Sequence, residues 1–190
     1  CAPTRACLLS GQYTPRHGVF TVKNSDRGPA SQRKIIPIKT ETLLDPKFVT
    51  IGETIQAAGY RTASMGKWHM GTDEYGPKNQ GFDVNIAGNH SGSPKGGYFS
   101  PYNNPQLKDG PKGEHITDRI AQEACKFITD TNSMNKPFFL YLPFYGVHTP
   151  IQPKKELVGK YAALPKKEQQ GKPAYAAMVE VTDNAVGTIM

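Results

Sequence analysis

The chain has 190 residues, 37% of them hydrophobic, and carries 23 Lys and Arg against 16 Asp and Glu for a formal charge of +7. That length and apolar content suffice for one domain with a real core and exclude a chain disordered throughout. No apolar run approaches the roughly 20 residues of a membrane span, and no basic n-region followed by an apolar h-region marks a signal peptide.

The positive charge is spread over dispersed lysines, with clusters at Arg33-Lys34, Lys154-Lys155 and Lys166-Lys167. Such a surface attracts polyanions, and a solvated basic surface is the plainer account of any one cluster. No nucleic-acid motif or aromatic-basic interleaving points to nucleic acid as a partner. Three cysteines, Cys1, Cys7 and Cys125, lack C-x-x-C or metal-ligand spacing, and their odd number argues against a disulfide framework. Cys7 and Cys125 lie in helical patterns and read as small core residues.

The first element is a short helix from about Pro3 to Ser10. Pro3 suits a first turn, where its missing N–H has no intrahelical partner, and Gly11 is the C-terminal stop. Leu8 and Leu9 are free to face a core. Cys1 sits just ahead of the first turn, where unpaired backbone N–H groups favour negative charge. Arg5, one turn on, can fold back beside Cys1 and offer a bidentate fork to an oxyanion. On these residues alone Cys1 is either a reactive thiol in an anion site or an inert thiol in a short amphipathic helix.

Cys1, Pro3, Thr4 and Arg5, followed by Leu8-Leu9-Ser10-Gly11, resemble the sulfatase signature C-x-P-[ST]-R-x-x-L-[LM]-[ST]-G. In that family a maturation enzyme oxidises the cysteine to formylglycine, whose hydrated aldehyde is the nucleophile. Because the signature begins at residue 1, the resemblance implies that 1–190 is an incomplete catalytic domain, with its front and back missing.

Residues 12–48 are punctuated by Pro15, Gly18, Gly28, Pro29, Pro37 and Pro46 without a sustained period, which predicts mostly loop. Arg16 and His17 follow the first helix closely enough to line the same site, but a surface turn, or a structural bond from His17 to backbone, is the expected role. Thr50 and Glu53 form a capping box that opens a helix with Ile51, Ile55 and Ala58 as its stripe, ended by Gly59. Tyr60 to Met65 follows as a strand.

Gly59-Tyr60-Arg61-Thr62 through Gly66-Lys67-Trp68-His69 resembles the second sulfatase signature, G-Y-x-[ST]-x-x-x-G-K-[WF]-H. Strand alternation predicts Lys67 and His69 on one side and Trp68, a packing residue, on the other. Residues 72–113 are rich in Gly, Pro and Asn, with a tight turn at Gln80-Gly81-Phe82-Asp83 that anchors Phe82 inward. The resemblance makes this the substrate-shaping segment, with His90 and Ser91 facing sulfate or sugar. A plain loop tip is the alternative.

Ile116 to Asp130 is predicted helical, with Ile116, Ile120, Ala124 and Phe127 inward and His115 at the surface. Pro137 to Phe144 is a continuous apolar run expected to be a strand buried on both faces. It leads into Tyr145-Gly146-Val147-His148-Thr149-Pro150, similar to the family element P-F-[FL]-x-Y-x-x-[FY]-x-x-H-x-P. Pro173 to Met190 is an amphipathic helix with Met178, Val181, Ala185 and Ile189 inward. Asp183-Asn184 falls on its exposed side, which rules against a metal-ligand pair.

Alternating helices and strands fit an α/β fold with a mostly parallel sheet flanked by helices. Ligands gather beyond the carboxyl ends of such strands, where Lys67, His69 and His148 fall. The resemblance adds the alkaline-phosphatase-like superfamily and hydrolysis of sulfate esters, with sulfated carbohydrate as substrate. It assigns the nucleophile to Cys1, stabilisation of its hydrate to Arg5, sulfate binding to Lys67, proton removal to His69 and assistance to the leaving oxygen to His148. It also implies Ca²⁺ or Mg²⁺, ligated by the Cys1-derived formylglycine and by residues outside this chain, and a periplasmic or extracellular protein. Two other readings stay open: a phosphate or phosphonate monoester hydrolase of the same superfamily, and a non-catalytic module that binds sulfated glycans. A thiol redox protein using Cys1 and Cys7 fails on spacing.

Overall fold

The computed structural model describes residues 1–24, 26–169 and 171–190. Among these, six α-helices and three strands form an α/β fold in which a parallel sheet separates two apolar cores. Strand β1 (Arg61–Met65) is central and pairs in parallel with β2 (Val84–Ile86) and β3 (Phe138–Tyr141). The registers are Ala63 to Val84 on one side and Arg61 to Phe138 on the other. All three carboxyl ends therefore share one edge.

Alternation along the strands decides which core each side chain enters. Ala63, Met65 and Leu140 join the cluster containing Tyr98, Ile116, Ile120, Phe127 and Met178. Phe139 and Tyr141 face the other cluster, with Ala6, Leu9, Leu44, Trp68 and Phe82. The first cluster is closed by α4 (Ile116–Ser133) and α6 (Pro173–Ile189), with α5 (Lys155–Ala162) against α6. The second is closed by α1 (Ala2–Ser10), joined by α3 (Ile51–Ala57). No helix among the described residues is long and apolar enough to cross a membrane.

Helix α3 opens on the expected capping box: Glu53 N–H donates to Thr50 Oγ1, and Thr50 N–H donates to the Glu53 carboxylate. Its buried residue is Gly52, whereas Ile51 is 40% exposed and Ala58 is exposed too. A Cβ on Gly52 would lie 2.8 Å from the Phe82 ring, so the helix approaches through a missing side chain and not through an isoleucine stripe. Phe82 is buried as expected, and β2 follows it directly.

Several other expectations need correction. The adjacent Leu8 and Leu9 cannot share a helix face, and Leu8 is 63% exposed while Leu9 is buried. The segment after α1 contains a further short helix, α2 (Thr14–His17). His115 is buried, not on the surface, because its ring packs between Tyr98 and Phe99, at 5.3 and 5.1 Å, while Nδ1 caps α4 by accepting from Thr117 N–H. Strand β3 is half-buried, with Phe138 exposed, since among the described residues it pairs on one side only. Cys7 and Cys125 are half-buried free thiols, not core residues, lying 3.3 Å from His17 Nε2 and 3.6 Å from the Thr188 carbonyl oxygen. The α4 stripe and the inward Met178, Val181 and Ala185 of α6 stand as read, and Asp183 and Asn184 are exposed.

Candidate functional site

Helix α1 places a thiol at the edge of the sheet. Pro3 occupies its first turn, and Gly11, at φ 64, closes it by donating its N–H to the Cys7 carbonyl. Cys1 is the N-cap residue, is exposed, and its side chain makes no capping bond to the helix. Its Sγ lies 3.3 Å from His69 Nδ1.

The chain brings His69 there by leaving β1 through a tight passage. Gly66 adopts φ 124, and a Cβ at that position would collide with the Pro143 carbonyl oxygen. Backbone N–H groups of Gly66 and Lys67 donate to the carbonyls of Ile86 (2.8 Å) and Pro143 (2.7 Å), one on each neighbouring segment. Trp68 then enters the α1 core with its indole N–H on the Tyr75 carbonyl. His69 takes a left-handed φ of 64, with its N–H on the Asn89 carbonyl. Trp68 thus points away from the site as expected, through an irregular turn and not through continued strand alternation.

Lys67 is only 3% exposed. Burial first, and the Arg5 charge second, push its ammonium down to about 8. His69 is held at about 4, first by burial and then by the positive charges of Lys67, His90 and Arg5. Near neutrality the site therefore pairs a cationic lysine with a neutral imidazole able to accept a proton.

Arg5 departs from the expected fork beside Cys1. Its Nη1 donates to the Lys67 carbonyl at 2.7 Å and to the Tyr141 hydroxyl at 3.2 Å, tying α1 to the ends of β1 and β3. A half-buried guanidinium must satisfy its donors locally, and these two oxygens are the acceptors at hand. Its Nε is buried and, among the described residues, has no hydrogen-bond partner.

His148 leaves the same sheet edge after β3. The buried Tyr98 hydroxyl accepts its N–H at 3.1 Å and lies 2.9 and 3.0 Å from the Tyr145 and His148 carbonyls, which pins the loop. His148 Nδ1 lies 2.9 Å from the Thr149 carbonyl. Among the described residues no hydrogen bond joins His148 to Cys1, Lys67 or His69; what the structure shows is its place just past the end of β3 on the shared edge.

Of the two loop residues expected to face substrate, only His90 borders the site. Its ring sits 6.1 Å from that of His69, and both line a cleft of about 190 Å³ with Thr21, Lys23, Thr42 and Gly92. Ser91 instead donates its hydroxyl to the Ser93 carbonyl at 2.6 Å and is not part of that lining. His17 is structural, accepting from Val19 N–H, and Arg16 bonds Gln12.

Sequence reasoning missed Gly92, Tyr141 and Tyr98. A Cβ on Gly92 would fall 2.7 Å from His69 Nε2 and 2.9 Å from Nδ1, so this glycine is the wall against which the imidazole rests. No sequence signal marks it among so many glycines. Tyr141 lay in the recognised apolar run, but its hydroxyl partner could not be read from periodicity.

The donors at this site do not fit a hard divalent cation. One thiol and two imidazoles stand beside Lys67 and Arg5, where calcium or magnesium takes oxygen ligands. Among the described residues no group of three or more His, Cys, Asp or Glu comes together to hold a metal ion.

A family model described as Sulfatase matches residues 1–190. The chain is 31% identical to a sulfatase of Formosa agariphila over its whole length, covering 43% of that protein. It is 29% identical to the N-acetylgalactosamine-6-sulfatase of Canis lupus familiaris, again over its whole length and 37% of that protein. The solved structure of Ps i-CgsB superposes with a TM-score of 0.71 at 25% identity, covering all of this chain and 43% of the other. The chain thus spans less than half the length of these relatives. The fold is the alkaline-phosphatase-like fold of sulfatases, and with a family model matched end to end, the chain belongs to the sulfatase family.

Proposed function

We propose that this chain is part of the catalytic domain of an enzyme that hydrolyses sulfate esters on carbohydrates. The observation that carries the reading is Cys1 Sγ, at a helix N-terminus, 3.3 Å from a neutral His69 and on the same sheet edge as the buried Lys67. In this reading Cys1 is converted to formylglycine by a maturation enzyme. The hydrated aldehyde supplies one hydroxyl to attack sulfur and a second whose ionisation expels the bound sulfate.

The chain's own residues do the rest. Lys67 binds sulfate oxygens, and its burial strengthens that pairing because little water competes. His69, uncharged near pH 7 and with Nδ1 3.3 Å from Cys1 Sγ, takes the proton of the second hydroxyl. Arg5 fixes Lys67 through the backbone bond, and its charge stabilises the hydrate of the Cys1-derived group. His148, held by Tyr98, gives a proton to the leaving sugar oxygen. Calcium or magnesium, ligated by the formylglycine and otherwise by residues outside 1–190, belongs to the complete protein. That the chain spans 43% and 37% of two relatives supports reading 1–190 as an incomplete catalytic domain.

A sulfated carbohydrate is favoured because relatives are named N-acetylgalactosamine-6-sulfatase and a solved relative holds k-i-k-neocarrahexaose. The same kinship is the ground for a periplasmic or extracellular location. The test is release of inorganic sulfate from sulfated oligosaccharides by the complete protein, beside matched aryl sulfate and aryl phosphate. Sulfate release that disappears in Cys1→Ala supports the reading. A preference for the phosphate ester, or binding without turnover of any ester, contradicts it.

A further inference from the structure

The cleft beside His69 and His90 is also lined by Lys23, which is exposed and held at φ 64. Further basic side chains follow Lys23 in the same loop. Arg27 folds back so that its Nη1 donates to the Asn24 carbonyl, next to Lys23, at 3.1 Å. Arg33 donates Nε to the Arg27 carbonyl at 3.3 Å and Nη2 to the Gly28 carbonyl at 2.8 Å. Arg27, Arg33, Lys34, Ile35 and Pro37 then line a second depression of about 290 Å³.

Residues 21–39 carry five basic side chains and one acidic one, Asp26. That carboxylate is engaged by Arg33 at 3.4 Å. Among the described residues Lys23, Arg27 and Lys34 make no ion pair, so their charge faces solvent. The apolar part of the depression is aliphatic, from Ile35, which is 80% exposed, and Pro37. Single-stranded nucleic acid uses aromatic faces for stacking, and none lines this depression. Cations beside a small aliphatic surface suit an anionic sugar, whose ring offers C–H faces and whose substituents offer charge.

We propose that Lys23, Arg27, Arg33 and Lys34 form a second anion subsite, holding a sulfate or carboxylate elsewhere on the oligosaccharide whose ester is cleaved. The substrate is then an oligosaccharide with several anionic groups and not a lone monosulfated sugar. The proposal rests on the sulfatase reading for the word substrate, but the subsite can be tested by binding alone.

The test compares the complete protein with an Arg27→Gln/Lys34→Gln variant, which leaves the tethers of Arg33 in place, and with Lys23→Asn, which tolerates the left-handed backbone. A heparin-derived hexasaccharide and para-nitrophenyl sulfate serve as probes. Each exposed cation is worth a few-fold, so hexasaccharide affinity falls about 10-fold in the double variant, with a weaker salt dependence. The ratio of kcat/KM for the hexasaccharide to that for the aryl ester falls with it. Unchanged affinity overturns the proposal. If neither protein cleaves any sulfate ester, the functional reading fails while the binding result still decides the subsite. A DNA decamer bound as tightly as the hexasaccharide overturns the saccharide assignment.

Discussion

Gly92→Ala perturbs the site through one methyl group. Gly92 is not among the residues with positive φ, so alanine meets no backbone objection there. Its Cβ, however, would lie 2.7 Å from His69 Nε2 and 2.9 Å from Nδ1, roughly 1 Å inside ordinary contact. The ring cannot yield freely, because its backbone is fixed by the bond to the Asn89 carbonyl and by the left-handed turn. The imidazole must therefore shift by about 1 Å relative to Cys1, and misplacement of that size costs on the order of 10²-fold in rate. Overpacking adds about 1–3 kcal/mol of destabilisation. The assay is kcat on para-nitrophenyl sulfate, with urea unfolding alongside to separate rate from stability. A folded Gly92→Ala enzyme with kcat within three-fold of wild type would refute the argument that this glycine seats the base.

Lys67 gives a pH limb. With its ammonium lowered to about 8, it loses charge above that pH, and kcat/KM on aryl sulfate should fall as pH rises through 8, whereas Lys67→Arg should lose that limb at a reduced rate. The same shift acts on stability. Between about pH 8 and 10.4 the unfolded chain binds more protons than the native one, so on this group's account stability rises with pH there, and below pH 8 the buried charge costs about 3 kcal/mol. Urea unfolding at pH 7 and pH 10 reads the sign, since Lys67→Met should be relatively more stable at pH 7. His148→Ala should cost on the order of 10²-fold or more on a sugar sulfate and far less on para-nitrophenyl sulfate, whose leaving group needs no proton; equal losses would remove His148 from leaving-group assistance. Thr50→Ala deletes the α3 cap and the bond to the Gln80 carbonyl, and should lower stability by about 1–3 kcal/mol without changing kcat.

What was legible in the chain was what repeats or is spelled out locally. The stripe of α4 and the Thr50 cap are local patterns whose energetics do not depend on distant partners, and both formed as read. Lys67, His69 and Cys1 came together because short motifs follow strand and helix ends, which a parallel sheet collects on one edge. Strand β2 has three residues, too few for a period, and escaped. His115 reads as a surface residue beside charged neighbours, and only the folded chain closes Tyr98 and Phe99 around it. Arg5 shows the same limit: its charge was visible, but its acceptors lie 62 and 136 residues away. The role of Gly92 is a close approach between two loops, which no single stretch of sequence encodes.

Mass spectrometry of the Cys1 peptide, from the complete protein made in its native host, examines the central claim most directly. An aldehyde in place of the thiol, together with sulfate release that Cys1→Ala abolishes, is the predicted result. An unmodified thiol in protein that still hydrolyses sulfate esters would contradict the account.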